Sequence, residues 1–187
     1  MGQFEYLSVL VSIIIGLALT QLLSGSARLI QLRHRVRMHA TTLCWMAVLL
    51  LVDTQIWWAS FERRGSQDWN FFLFLLYLLL PILAFLLSYL VLPELGDEDE
   101  IDLAANFAGN RGWFFGLLAL LPGVSLVEEA LRSGSVPMDA DAVFRIGFAL
   151  MALVASRVAN ARFQFWNALL ALAIISGYVA LLFLRLH

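Results

Sequence analysis

Six runs of mostly apolar residues, at about 4–27, 40–60, 70–92, 113–131, 142–158 and 163–185, set the terms for everything this chain can fold into. An α-helix crosses the ~30 Å hydrocarbon core of a bilayer with about 20 such residues. The fifth run is the shortest, and Arg145 and Arg157 stand near its ends. Of the 187 residues, 61% are hydrophobic and 14% charged. A soluble domain is typically about 45–50% apolar and roughly 25% charged. A soluble fold of this composition would leave large apolar patches facing water, and a bilayer removes that problem. The expected fold is therefore all-α: one polytopic transmembrane domain, a bundle of about six spans.

Charge narrows the partners. The formal net charge of −2 gives no reason to expect nucleic acid. All 12 basic residues are arginine, which excludes a Schiff-base or P-loop lysine. Arginine in place of lysine is what a GC-rich genome encodes, and it points to a bacterial source. The single cysteine, Cys44, can form no internal disulfide. The opening residues lack the basic segment of a signal peptide, so the first run is expected to be a retained helix.

Loop arginines set orientation. The odd-numbered loops carry Arg28, Arg33, Arg35, Arg37, Arg111, Arg157 and Arg162; the termini and even loops carry Arg63, Arg64, Arg132 and Arg185, with Arg145 just inside the fifth run. Odd loops are expected in the cytoplasm and both termini in the periplasm, across a bacterial inner membrane. Trp57, Trp58, Trp69, Trp113 and Trp166 lie near span ends, as an aromatic belt requires.

Two short matches suggest a three-plus-three inverted repeat, a plan used by many transporters. Ser24-Gly25-Ser26 corresponds to Ser133-Gly134-Ser135, and Trp69-Asn70 to Trp166-Asn167.

Several residues stand out against the apolar background. Ser8, Ser12, Gly16, Thr20 and Ser24 recur every four residues on the first run, and small residues let helices approach closely in lipid. They are expected to form a packing seam. Asp53 lies within the second run, with Gln55 two residues on. An acid inside a span costs roughly 2.5–3.5 kcal/mol on insertion scales, so it should face the bundle interior or meet a partner. Glu5, Glu128, Glu129 and Arg145 fall on the same side of an alternating path, the side of the even loops. Arg145 is the expected counter-ion of Asp53 or Glu128. Together these residues predict a polar, net-acidic cavity open toward the even loops. Pro81 and Pro122-Gly123 predict kinks or breaks in the third and fourth spans.

Enzyme chemistry lacks its parts. His34, His39 and His187 all lie outside the apolar runs, which removes intramembrane haem ligation and a histidine base for a serine nucleophile. Glu128-Glu129-Ala130-Leu131-Arg132 resembles the paired-glutamate motif of the CAAX-processing membrane proteases only superficially, because the arginine comes one residue early and the membrane histidines are missing. Asp97, Asp99 and Asp102 begin with alternating spacing, but Ile101 interrupts a calcium-loop pattern. No enzyme activity, cofactor or metal is expected. Two functions remain: a small channel or carrier for a cation, proton or small polar solute, and a non-catalytic accessory or assembly subunit of a larger membrane complex. The expected partners are the lipid bilayer and either further copies of the chain or another membrane protein.

Overall fold

A computed structural model describes residues 3–62, 70–93, 100–135 and 139–184. The helices are α1 (Gln3–Gln31), α2 (Ala40–Glu62), α3 (Phe71–Leu90), α4 (Leu103–Ser133), α5 (Ala140–Arg157) and α6 (Ala161–Leu184). Two short strands, β1 (Val36–Arg37) and β2 (Ile101–Asp102), complete the described elements. The arginines at 63 and 64, Trp69 and the acidic stretch 94–99 lie outside the described residues.

Local sequence explains where most helices begin. Asn70, Asp102 and Asp139 cap α3, α4 and α5 by accepting backbone N–H groups of the first turn. Asn160 does the same for α6, through the amides of Arg162 and Phe163 at 2.9 and 3.2 Å. Gly134 ends α4 at φ 69°, a left-handed conformation suited to glycine.

Five helices are long and apolar enough to span a membrane: α1, α2, α3, α4 and α6. Large apolar side chains such as Leu17, Leu75, Leu120, Leu150 and Leu170 project outward from the bundle. That surface suits lipid and not water. The chain is an integral membrane protein. The fifth helix is the exception, with Asp141, Arg145 and Arg157 among its 18 residues.

Helix α3 is central, packed along α1 on one side and α4 on the other. Helix α5 leans on α4, α6 leans on α2, and α5 and α6 touch each other only slightly. The core runs through Val11, Ile15, Trp45, Leu49, Leu87, Phe114, Phe115 and Leu118.

Two helices are longer than the sequence runs suggest. The fourth begins at Leu103, ten residues before the apolar run at 113. Leu103 and Phe107 therefore belong to its first turns and are buried. The first continues through Ser24-Gly25-Ser26 to Gln31. At 1.5 Å per residue both exceed ~40 Å, so each outruns the hydrocarbon core. Both overhangs lie at the end of the bundle that carries the first and third loops. There β1 and β2 pair in parallel, Val36 with Ile101 and Arg37 with Asp102.

The small-residue ladder is not the seam within the chain. Ser12, Gly16 and Thr20 face outward, and Thr20 Oγ1 donates to its own helix at Gly16 O, 2.7 Å away. The face of α1 that packs inward is Val11, Ile15, Ala18, Leu22, Gly25 and Leu29. Bulky aliphatic residues fill the interior, and only at Gly25 is a small residue required, since a Cβ there would collide with Leu92. Pro81 and Pro122 interrupt neither helix.

The matches behind the inverted repeat serve different purposes. The first Ser-Gly-Ser lies inside a helix against Leu92, and the second ends one. Asn70 caps α3, whereas Asn167 is buried six residues into α6. The packing of α1 on α3 has no counterpart of similar extent between α4 and α6 among the described residues.

Candidate functional site

A cavity of about 220 Å³ lies among α2, α3, α4, α5 and α6. Most of its wall is apolar: Val52, Ile56, Leu80, Leu121, Phe148 and Ile175 contribute aliphatic and aromatic surface. The polar part comprises Gln55, Ser125, Asp141, Arg145 and Tyr178. These residues fall in the later turns of α2, α4 and α6 and the first turns of α5, so the polar part gathers toward the even loops.

Charges are held there in a definite order. Arg145 Nη1 donates to Glu129 Oε2 at 2.5 Å and to Ser125 Oγ at 3.3 Å. Its Nη2 is ion-paired with Asp141, one turn earlier on α5. Tyr178 donates its hydroxyl to the other oxygen of Asp141 at 3.5 Å, and its ring stacks on Phe144 with centroids 5.6 Å apart and planes at 11°. Two carboxylates around one guanidinium leave the group one unit negative. Glu128 is separate: it is almost fully buried and paired with Arg132 at 2.7 Å, on the i,i+4 spacing of one helix.

The expected pairing of Arg145 with Asp53 or Glu128 is therefore corrected. Glu129 is the next residue after Glu128 and projects about 100° around α4, which carries it across to α5. Asp53 turns away from the cavity. It is buried against α3, where Ser88 Oγ donates to its Oδ2 at 3.3 Å. Its Oδ1 has no partner among the described residues. Ser88 stands two residues from the end of α3, far along that helix from Asn70. Of the predicted cluster, Gln55 and Arg145 line the cavity, Glu129 supports Arg145 from behind, and Asp53 and Glu128 face elsewhere. Glu5 lies in α1, with its side chain outside the described residues.

Sequence reasoning missed Asp141, Ser125, Phe144, Phe148 and Tyr178. Asp141 carried a usable signal, because it precedes Arg145 by four residues on one helix. The aromatic stack carried none, since its two rings are 34 residues apart in the sequence (144 and 178). Pro122 has a role the sequence only hinted at. It lacks an N–H, so the carbonyl of Leu118 loses its usual α-helical donor, and both residues line the cavity. Such a freed carbonyl is tolerated in a membrane helix where it meets a cavity.

Fold and site together define a helical integral membrane protein with a charged, partly apolar cavity inside its bundle. No protein-family model matches the chain, and neither a curated protein nor a solved structure is similar to it.

Proposed function

We propose that this protein is a small membrane carrier or channel, and that the cavity is its site for a cation or small polar solute. One observation carries the reading: a 220 Å³ space within a lipid-facing bundle, with Asp141 and Arg145 at its polar end. These ionised side chains lie in the first turns of α5 and converge on one cavity, and ionisable groups facing the interior of a bundle often mark a pathway or binding site. With Glu129 behind them the group carries one net negative charge, which favours cations. Helix α5 acts as the sixth span. Its 18 residues reach ~27 Å, its Asp141 and Arg145 neutralise one another, and Arg157 can extend to the headgroups. The reading needs no inverted repeat. Loop arginines favour a bacterial inner membrane with odd loops in the cytoplasm and both termini in the periplasm. Reconstitution in liposomes, with flux measured across a panel of cations and pH gradients, tests the assignment. Silence from folded protein would remove it.

The second reading, an accessory or assembly subunit, has its own observation. Ser12, Gly16 and Thr20 form an outward stripe of small residues on α1, where another helix could approach closely. Association of further copies would use the same stripe. Gly16→Leu would then disperse the complex on a native gel without changing the helix content of the chain.

A further inference from the structure

We propose that the cavity takes a monovalent organic cation, a compact apolar body bearing one ammonium group. This deepens the carrier reading by naming the ligand class, and it rests on the same cavity being the binding site.

Size comes first. A cavity of ~150 Å³ admits benzene, and drug-sized ligands occupy about 300–1,000 Å³. At about 220 Å³ the space suits a body slightly larger than benzene. The wall comes second. Val52, Ile56, Leu121, Phe148 and Ile175 would cover such a body, but they offer no oxygen to an inorganic ion that must shed its water. Charge comes third. Arg145 is already engaged by Glu129, Asp141 and Ser125, so an added anion would meet a group with net negative charge. An ammonium group meets Asp141 instead, beside the stacked faces of Phe144 and Tyr178, which attract cations through their π systems.

The packing provides a route. Helices α5 and α6 lean on different neighbours and are tied to each other near their two ends. At one end Gln164 Nε2 donates to Ala155 O and Val158 O, at 2.8 and 2.6 Å. At the other, Tyr178 meets Asp141. Between those ties the helices make few contacts, and that stretch is the proposed entry for an amphipathic cation dissolved in the bilayer.

The test uses the full chain in lipid nanodiscs, titrated calorimetrically with benzyltrimethylammonium, benzyl alcohol, benzoate and sodium ion. Saturable binding of the ammonium compound is expected, with the others at least about tenfold weaker. Losing one charge-assisted contact in Asp141→Asn should weaken binding by about tenfold or more. Ile175→Phe should weaken it by narrowing the space, and Glu100→Gln, at the far end of the bundle, should leave it unchanged. Equal binding of benzoate or benzyl alcohol, no binding of the ammonium compound, or a folded Asp141→Asn that binds normally would overturn the proposal. Should Asp141→Asn fail to fold, Ile175→Phe and the ligand series decide the matter. Binding without liposome flux would remove the carrier reading and keep the site. Sodium or proton flux without ammonium binding would do the reverse.

Discussion

The two ends of the bundle are built on opposite principles. At the end of the first and third loops, the overhangs of α1 and α4 are clipped by the β1–β2 pair, and Ile101 N donates to Arg35 O at 2.8 Å. Arg37 pairs with Asp102 at 3.3 Å and Glu100 at 3.6 Å across the same junction. Beneath it Trp45, Phe114 and Phe115 meet edge to face, with centroids 5.2–5.3 Å apart. At the other end a cavity remains between the helices, with the charged Asp141 and Arg145 on its wall and Glu129 behind them. Side-chain packing, the main attraction between helices in lipid, seals the first end. The second end forgoes part of that packing and keeps charges where they must be held by one another. A bundle under selection for stability alone would have filled the gap; leaving it open points to use.

Trp45→Ala tests the closed end and should have the largest effect. It removes a fully buried indole from the aromatic cluster and should cost about 3–5 kcal/mol in equilibrium unfolding from mixed micelles. A loss below 1 kcal/mol would show that this end is not the more tightly built one.

Arg145→Ala tests the open end. Glu129 and Asp141 would be left facing each other without their cation. The partly exposed setting moderates the penalty to about 1–3 kcal/mol, read by the same unfolding experiment. A neutral result would mean that solvent already screens the cluster.

Ser88→Ala asks whether Asp53 belongs to the packed interior or to the cavity. It removes the one hydrogen bond found for that carboxyl group among the described residues and should cost about 1–2 kcal/mol. Asp53→Asn should leave cation binding within about twofold of the parent. Strong loss of binding in Asp53→Asn would put that residue back in the pathway.

The smallest effect is a pH dependence confined to the clipped end. Burial holds the His39 imidazole below its ordinary value of 6.5, against the opposing pull of Asp102. The unfolded chain therefore takes up this proton first. The contribution of neutral His39 is complete above pH 6.5 and is lost as pH falls through the lowered folded value. The backbone N–H of Ala105, then that of Ala104 and the charge of Arg37, hold Asp102 below its ordinary 3.8. Its contribution is complete above that value and is lost at still lower pH. Protection of the Ile101 amide against hydrogen exchange, taken relative to its intrinsic rate at each pH, should thus fall in two stages on acidification. His39→Gln should abolish the first stage and Asp102→Asn the second. Matching pH profiles at both ends of the bundle would contradict the assignment.

Membrane residence and the helical class were both legible in the chain. Each follows from run length and residue type, and these are local properties. Apolar length alone also located α2 and α3 closely. It misplaced the start of α4, because Asn106, Asn110 and Arg111 interrupt the apolar pattern between Leu103 and the main run, whereas Asp102 caps the helix there and Thr42 Oγ1 donates to Leu103 O. The small residues of α1 marked a face correctly, but their direction depended on which neighbour the helix found.

Six apolar runs and one acid within a span are written in the sequence, since transfer into lipid is decided residue by residue. Which carboxylate meets Arg145 is not. That choice depends on the rotation of α4 against α5: one step along a helix turns a side chain by about 100°, so Glu129 reaches the arginine and Glu128 does not. The same rotation hides Asp53 against Ser88 and leaves Gln55 in the cavity wall. Tertiary packing alone sets those angles, and with them the composition of the site.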